Sequence, residues 1–276
     1  MTVFLNGEFV PAERATVSVL DRGFLYGDGL FETMRVHRGQ PFCWDAHMER
    51  FERGAAFLRI QSLHTREQLL AAALNLIETN QLPDAVLRLM LSRGAGARGY
   101  SPRGANTPTT VMMLHPLLEP PLSVSLVTAA HRITAGDLFA PYKIANRLTH
   151  IMARADAEER GADEALLINT NGHVAETASG NIFWMEGETV CTPPDEAGAL
   201  HGVTRGVVVG LCESLSLRVE RREASVARLQ QSDGAFVTGS VAGIVPVASL
   251  DGLSLPPHPL VERLRAAYEA FLKVKN

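Results

Sequence analysis

Three prolines fall within six positions, in Pro116-Leu117-Leu118-Glu119-Pro120-Pro121. Proline fixes its own φ and has no N–H for a ladder or a helix, so this stretch breaks both elements and acts as a stiff connector. Well-patterned sequence lies on either side of it. A chain of 276 residues is long enough to fill two cores. The expected organisation is a small domain over residues 1–116, a linker over 117–121 and a larger domain over 122–276.

The first part alternates strand and helix signals. Val3 to Val10 reads as a hairpin around Asn6-Gly7, the residue pair that tolerates two consecutive positive φ angles. Between Gly23 and Gly29 three glycines occupy seven positions, and apolar alternation after Gly29 predicts a strand. Trp44, Met48, Phe51, Ala55 and Leu58 share one helical face, with Asp45 as the expected N-cap and His47 and Arg50 on a flank. A second helix is expected from Thr65 to Asn80, opened by the capping box Thr65-x-x-Gln68. Ala85–Ser92 and Thr109–His115 read as strands. The loop between them, Ser92-Arg93-Gly94-Ala95-Gly96-Ala97-Arg98-Gly99-Tyr100-Ser101-Pro102, is either a surface excursion or a recognition loop with arginines suited to carboxylates.

Composition excludes several classes of function. A net charge of −4 gives no basic footprint for nucleic acid or a membrane surface, and no apolar run reaches spanning length. The N-terminus lacks a basic segment followed by an apolar one, so no secretory signal is expected. Cys43, Cys191 and Cys212 stand far apart, as reduced thiols in a cytoplasmic protein would. The nine histidines show no metal-ligand spacing such as His-Glu-x-x-His, so no metal is expected.

The chemistry collects after the linker. Only three lysines occur, Lys143, Lys273 and Lys275, and the last two close the chain. Positive charge elsewhere is arginine, which keeps its proton, whereas a partly buried lysine can lose one and serve as base or nucleophile. Lys143 precedes a helix expected from Asn146 to about Arg160, with Gly161 as its stop. Glu164–Asn169 and His173–Glu176 flank an Asn171-Gly172 turn, after which Glu176 enters the small polar run Thr177-Ala178-Ser179-Gly180-Asn181. Gly202-Val203-Thr204-Arg205-Gly206 opens another helix, and Thr238-Gly239-Ser240-Val241-Ala242-Gly243 follows a strand. Each of these two turns alone is an ordinary cap or hairpin. Together with a distant arginine and one lysine they describe a phosphate cup beside an amine.

From Asn6-Gly7 to Pro246 the chain resembles the fold-type IV pyridoxal-phosphate enzymes, which include branched-chain and D-amino acid aminotransferases and 4-amino-4-deoxychorismate lyase. The resemblance rests on Phe24-Leu25-Tyr26-Gly27-x-Gly29-Leu30-Phe31-Glu32-Thr33, Ser92-Arg93-Gly94-x-Gly96-x-Arg98-Gly99-Tyr100-Ser101, Lys143-x-x-Asn146-Arg147-Leu148 and Asn181-Ile182-Phe183-Trp184, which are nearest to lyase sequences. It implies an α+β fold of two domains, D-amino acid aminotransferase-like. The N-terminal domain would be small, and the C-terminal one larger and β-rich with helices. It also implies pyridoxal 5'-phosphate as cofactor and a homodimer acting on a small-molecule substrate.

Carried over to this chain, Lys143 would bind the cofactor covalently and shuttle protons, and Glu176 would pair with the pyridine nitrogen. Arg50, Val203, Thr204 and Ser240 would hold the phosphate. Phe31, Thr33, Arg93, Arg98 and Tyr100 would line the substrate side. Branched-chain aminotransferases usually carry a tyrosine five residues after the lysine, where this chain has Leu148. D-amino acid enzymes carry one where it has Phe31, and a histidine in the loop. The expected activity is aminodeoxychorismate lyase, which forms 4-aminobenzoate and pyruvate on the route to folate. The alternatives are an aminotransferase of D- or branched-chain amino acids and, ranked below it, a non-catalytic protein that binds the cofactor.

Overall fold

The computed structural model describes residues 1–274. Its contacts divide into two compact units. The first comprises Met1–Leu118 and Tyr142–Asn146, and the second Glu119–Pro141 and Arg147–Val274.

The first unit opens with β1 (Thr2–Leu5) and β2 (Glu8–Pro11), paired across Asn6 and Gly7 with φ of 52° and 103°. The short helix α1 (Arg22–Tyr26) follows, then β3 (Gly29–His37), β4 (Gln40–Pro41), α2 (Trp44–Leu58), α3 (Arg66–Asn80), β5 (Ala85–Ser92) and β6 (Thr109–Pro116). One sheet takes the order β2-β1-β6-β5-β3-β4. Period-2 alternation puts Leu30, Met34 and Val36 of β3, Leu87, Leu89 and Leu91 of β5, and Met112 and Leu114 of β6 into the core. Met48 and Phe51 of α2 and Leu69 and Leu76 of α3 meet them there. Each such side chain contributes roughly 1.5–3 kcal/mol by burial.

Helix α3 starts where its capping box predicts. The Thr65 hydroxyl accepts from Gln68 N (3.3 Å), and Gln68 Oε1 accepts from Thr65 N (2.8 Å). Helix α2 differs from expectation at its start. Cys43, at φ 54°, holds the cap position, and Asp45 lies inside the first turn, where its charge faces the positive end of the helix dipole.

The second unit contains β7 (Val124–Ile133), α4 (Leu148–Glu159), β8 (Glu164–Asn169), β9 (Val174–Thr177), β10 (Asn181–Glu186) and β11 (Thr189–Thr192). It continues with α5 (Val203–Ser214), β12 (Arg218–Arg221), α6 (Val226–Gln230), β13 (Ala235–Gly239), β14 (Gly243–Leu250), β15 (Leu253–Ser254) and α7 (Pro259–Val274). The strands run β12-β11-β10-β13-β14-β7-β8-β9, with β15 on β14. Strands β7 and β8 are parallel, as a crossover through α4 requires, and Ala153 and Ala157 of α4 pack on Val127, Ala165 and Leu167. Ile182, Trp184, Leu166, Val245 and Val247 fill another core cluster. Asn146 does not cap α4: Arg147 takes the cap position with no capping bond from its side chain, and Asn146 belongs to the segment that packs in the first unit.

Candidate active site

Lys143 is placed by backbone pairing with β3. Phe31 N donates to Lys143 O (2.9 Å), Ala145 N donates to Gly29 O (2.8 Å), and Leu30 and Ile144 form an antiparallel bridge. Residue 29 must be glycine for β3 to sit this close to β5, since a Cβ there would lie 2.5 Å from Leu91 O. The Lys143 side chain is partly buried, with Nζ 4.7 Å from the centroid of the Phe31 ring. The Arg88 guanidinium carbon lies 4.1 Å from the same centroid. Burial lowers the pKa of Arg88, and among the described residues no carboxylate pairs with it. A half-desolvated cation without a carboxylate partner keeps its hydrogen-bond donors available to an anion. Thr33 and Arg88 are paired neighbours across β3 and β5.

The other face of β3 carries Glu32, which is fully buried against α2. Its carboxylate accepts from Arg50 Nε (2.8 Å) and Arg50 Nη2 (2.6 Å) and is met by His47 Nδ1 (2.7 Å). Burial raises the Glu32 pKa, but the hydrogen bonds from His47 and Arg50 outweigh it and hold the carboxyl at about 2. Burial pushes the His47 pKa down, against the pull of Glu32. The imidazole is therefore neutral at pH 7, and because an ionised carboxylate can only accept, Nδ1 carries the proton. The pairing fixes one edge of the Arg50 guanidinium.

The loop arginines divide. Arg93 donates to Asp28 Oδ2 (2.8 Å) and Oδ1 (3.0 Å) and to the carbonyls of Leu58 (2.8 Å) and Arg59 (3.1 Å), so its fork is committed to the fold. Arg98 and Tyr100 project outward, the latter 87% exposed.

In the second unit Glu176 lies near the end of β9 in a buried position. Oε1 is met by His150 Nε2 (2.9 Å), and Oε2 accepts from Leu200 N (2.9 Å). Leu200 O accepts in turn from Asn181 Nδ2 (2.8 Å), which ties the approach to α5 to the strand beside Glu176. Gly202 caps α5 with no side-chain bond. A Cβ there would lie 2.0 Å from Asn181 Oδ1, so any other residue would push the Asn181 side chain from its place. Thr204 is buried in the first turn beside Val203. Arg205 anchors that turn through Asp195 Oδ1 (2.8 Å) and Pro193 O (2.6 Å). Ser240 sits in the turn from β13 to β14, half-buried.

Glu32, Arg88 and His150 escape sequence reasoning, and so does the pairing of Glu32 with His47, which helical spacing already sets beside Arg50. Glu32 and His47 are fifteen positions apart, and only the packing of α2 on β3 joins them. Arg88 is the one charged residue of β5; its place on the face opposite Leu87 and Leu89 was the available signal. His150 lies on the first turn of α4. Cys191 and Cys212 offer no nucleophile, since burial pushes both thiols up to about 11. No cluster among the described residues could hold a metal, and no described helix is long and apolar enough to cross a membrane.

The fold is that of the fold-type IV pyridoxal-phosphate enzymes. The amino-transferase class IV family model matches residues 29–250, and the chain belongs to that family. It is 34% identical to a protein of Methanocaldococcus jannaschii named "Putative branched-chain-amino-acid aminotransferase", over 100% of this chain and 97% of that one. It is 31% identical to the aminodeoxychorismate lyase of Vibrio harveyi, over 87% and 88%. The branched-chain aminotransferase of Thermoproteus uzoniensis with norvaline superposes with a TM-score of 0.94 at 27% identity, covering 100% of this chain and 96% of that one. The cofactor is pyridoxal phosphate, as a further structural neighbour, a branched-chain amino acid aminotransferase with pyridoxamine 5'-phosphate, indicates. Each unit holds groups of the kind the cofactor needs: a partly buried amine and a buried arginine in the first, and a buried carboxylate and a helix start without a side-chain cap in the second.

Proposed function

We propose that this enzyme is an aminodeoxychorismate lyase, releasing 4-aminobenzoate and pyruvate. In this reading Lys143 Nζ carries the cofactor, Arg50, Thr204, Ser240 and the Val203 N–H hold its phosphate, and Glu176 faces the pyridine nitrogen. When bound, pyridoxal phosphate supplies an electron sink for charge at the carbon bearing the substrate's amine. Lys143 Nζ takes the proton from that carbon and gives one to the methylene carbon of the departing enolpyruvate, leaving pyruvate as the ring becomes aromatic. Arg88 binds one substrate carboxylate. Arg98 and Tyr100 line the substrate side.

What supports the reading is that the Arg88 guanidinium carbon and Lys143 Nζ lie 4.1 and 4.7 Å from the centroid of the same Phe31 ring, so the proposed carboxylate-binding cation and the proposed reacting amine share one neighbour. Aminodeoxychorismate carries two carboxylates, and a substrate with two needs a second cation besides the loop arginine. Leu148, 64% exposed, puts an aliphatic group where the resembled branched-chain enzymes have a tyrosine. The test is release of 4-aminobenzoate from aminodeoxychorismate by purified holoenzyme. Robust amino transfer from leucine or D-alanine with no aminobenzoate overturns the reading.

Amino transfer is the second reading, favoured by the full-length match to the Methanocaldococcus jannaschii protein. There Lys143 would hand its proton on instead of to a leaving group, water would release a keto acid, and the amino group would stay on the cofactor for a second keto acid to collect. Proton removal at the amine-bearing carbon is common to both.

A further inference from the structure

The loop that carries Arg98 and Tyr100 is held at its base and near its tip by the cap and the first residue of α1. At the base, Asp21 accepts from Ser92 Oγ (2.9 Å) and Thr109 Oγ1 (2.7 Å), and Arg22 N donates to Gly94 O (2.9 Å). Near the tip, the Arg22 guanidinium collects three successive carbonyls. Nη1 donates to Gly99 O (2.8 Å) and Ser101 O (3.2 Å), and Nη2 to Tyr100 O (3.1 Å). Arg22 is only 3% exposed, and Asp28 fixes its remaining edge by accepting from Nε (2.8 Å). Tyr26 joins the assembly: its hydroxyl accepts from Gly99 N (3.1 Å), its ring lies 5.0 Å from the Arg22 guanidinium carbon, and it meets Tyr100 edge-on at 5.6 Å.

A buried charge committed to three adjacent carbonyls is a costly way to hold a surface excursion, because the guanidinium must leave water to do it. It fixes the backbone on both sides of Tyr100 and directly after Arg98, while both side chains stay exposed. We propose that Arg22 is a positioning residue for substrate binding, its guanidinium fork setting the 98–101 backbone so that Arg98 and Tyr100 meet the substrate in one geometry. This rests on the reading that the loop lines the substrate side. A rigid loop binds without the ordering cost that a mobile one meets.

The test uses holoenzyme with Arg22→Lys and Arg22→Gln. Lysine keeps a charge for Asp28 but is a point donor that cannot span three carbonyls. Both variants are expected to speed trypsin cleavage at the Arg98–Gly99 bond about tenfold, mapped by mass, and to raise KM for aminodeoxychorismate about tenfold while the cofactor's visible absorbance is kept. Combined with Arg98→Ala, Arg22→Lys should add little further to KM. Cleavage needs no substrate, so it reports on the clamp even if the enzyme proves to be a transaminase. Unmoved cleavage, or faster cleavage with unmoved KM, overturns the proposal. Should neither variant fold, Tyr26→Phe removes only the hydroxyl that accepts from Gly99 and must still speed cleavage; an unchanged rate there overturns it as well.

Discussion

The ammonium of Lys143 stands 4.7 Å from the centre of the Phe31 ring, while the backbone N–H of Phe31 donates to the carbonyl of Lys143. The same residue thus holds the lysine's main chain and receives its charge. Lys143→Ala is expected to abolish the visible absorbance that borohydride removes. Phe31→Leu keeps the backbone bond and should keep that absorbance, with loss of the cation–π contact, worth about 0.5–2 kcal/mol, appearing as up to thirtyfold slower turnover. Spectra and turnover of the two variants check this; a coloured Lys143→Ala protein refutes the covalent role.

Arg88 shares that ring and has no acidic partner among the described residues. Arg88→Leu removes a desolvated cation, which should leave stability unharmed or improved, and should raise KM for a dicarboxylate substrate by roughly 10–100-fold, a lost charged hydrogen bond being worth about 1.5–3 kcal/mol. Steady-state kinetics and thermal unfolding decide it together. An unchanged KM removes Arg88 from the substrate site.

Acid should destabilise the protein through His47 and Glu32 in turn. Both have folded pKa values below their unfolded ones, so the unfolded state binds more protons as pH falls and stability falls with it. The His47 loss begins as pH drops through about 6.5. The Glu32 loss begins near 4.5 and is complete below about 2. His47→Gln should remove the first phase and leave the second. Glu32→Gln should cost about 3–5 kcal/mol at pH 7, because it leaves the Arg50 charge buried without its carboxylate. Urea unfolding from pH 3 to 8 measures both; a wild-type stability flat between pH 7 and 5 contradicts the His47 assignment.

The local elements were readable because their signals are local. The capping box at Thr65, the Asn6-Gly7 turn and the Trp44–Leu58 face each lie within a few residues of what they determine. Lys143 stood out by rarity, and Glu176 by the small residues after it. Helix α1 was hidden, since five residues among glycines give no period; its cap, Asp21, is visible only once Gly23 N is seen to donate to it. The Glu32–His47–Arg50 cluster and the Arg22 clamp join residues up to 79 positions apart, and no spacing encodes such contacts. Arg93, expected near the substrate, is spent on Asp28 and two carbonyls, a distinction between identical arginines that only packing makes.

Glu176 is held from two sides, by His150 on Oε1 and by Leu200 N on Oε2. Glutamine at this position retains an oxygen to accept from Leu200 N and loses the charge. If the carboxylate keeps the cofactor's ring nitrogen protonated, Glu176→Gln should bind cofactor nearly as tightly as the wild type, since the covalent link and the phosphate contacts remain. Turnover should fall about 100-fold or more, because a charge aimed at where electrons accumulate is lost. If Glu176 only ties Leu200 and the approach to α5 in place, Glu176→Gln should keep both cofactor and turnover, while Glu176→Ala, which leaves Leu200 N without its acceptor, should lose cofactor with the helix start and keep the rate per bound cofactor. Cofactor titration alongside turnover on the same samples separates the two, and undiminished turnover per bound cofactor rules out the electronic role.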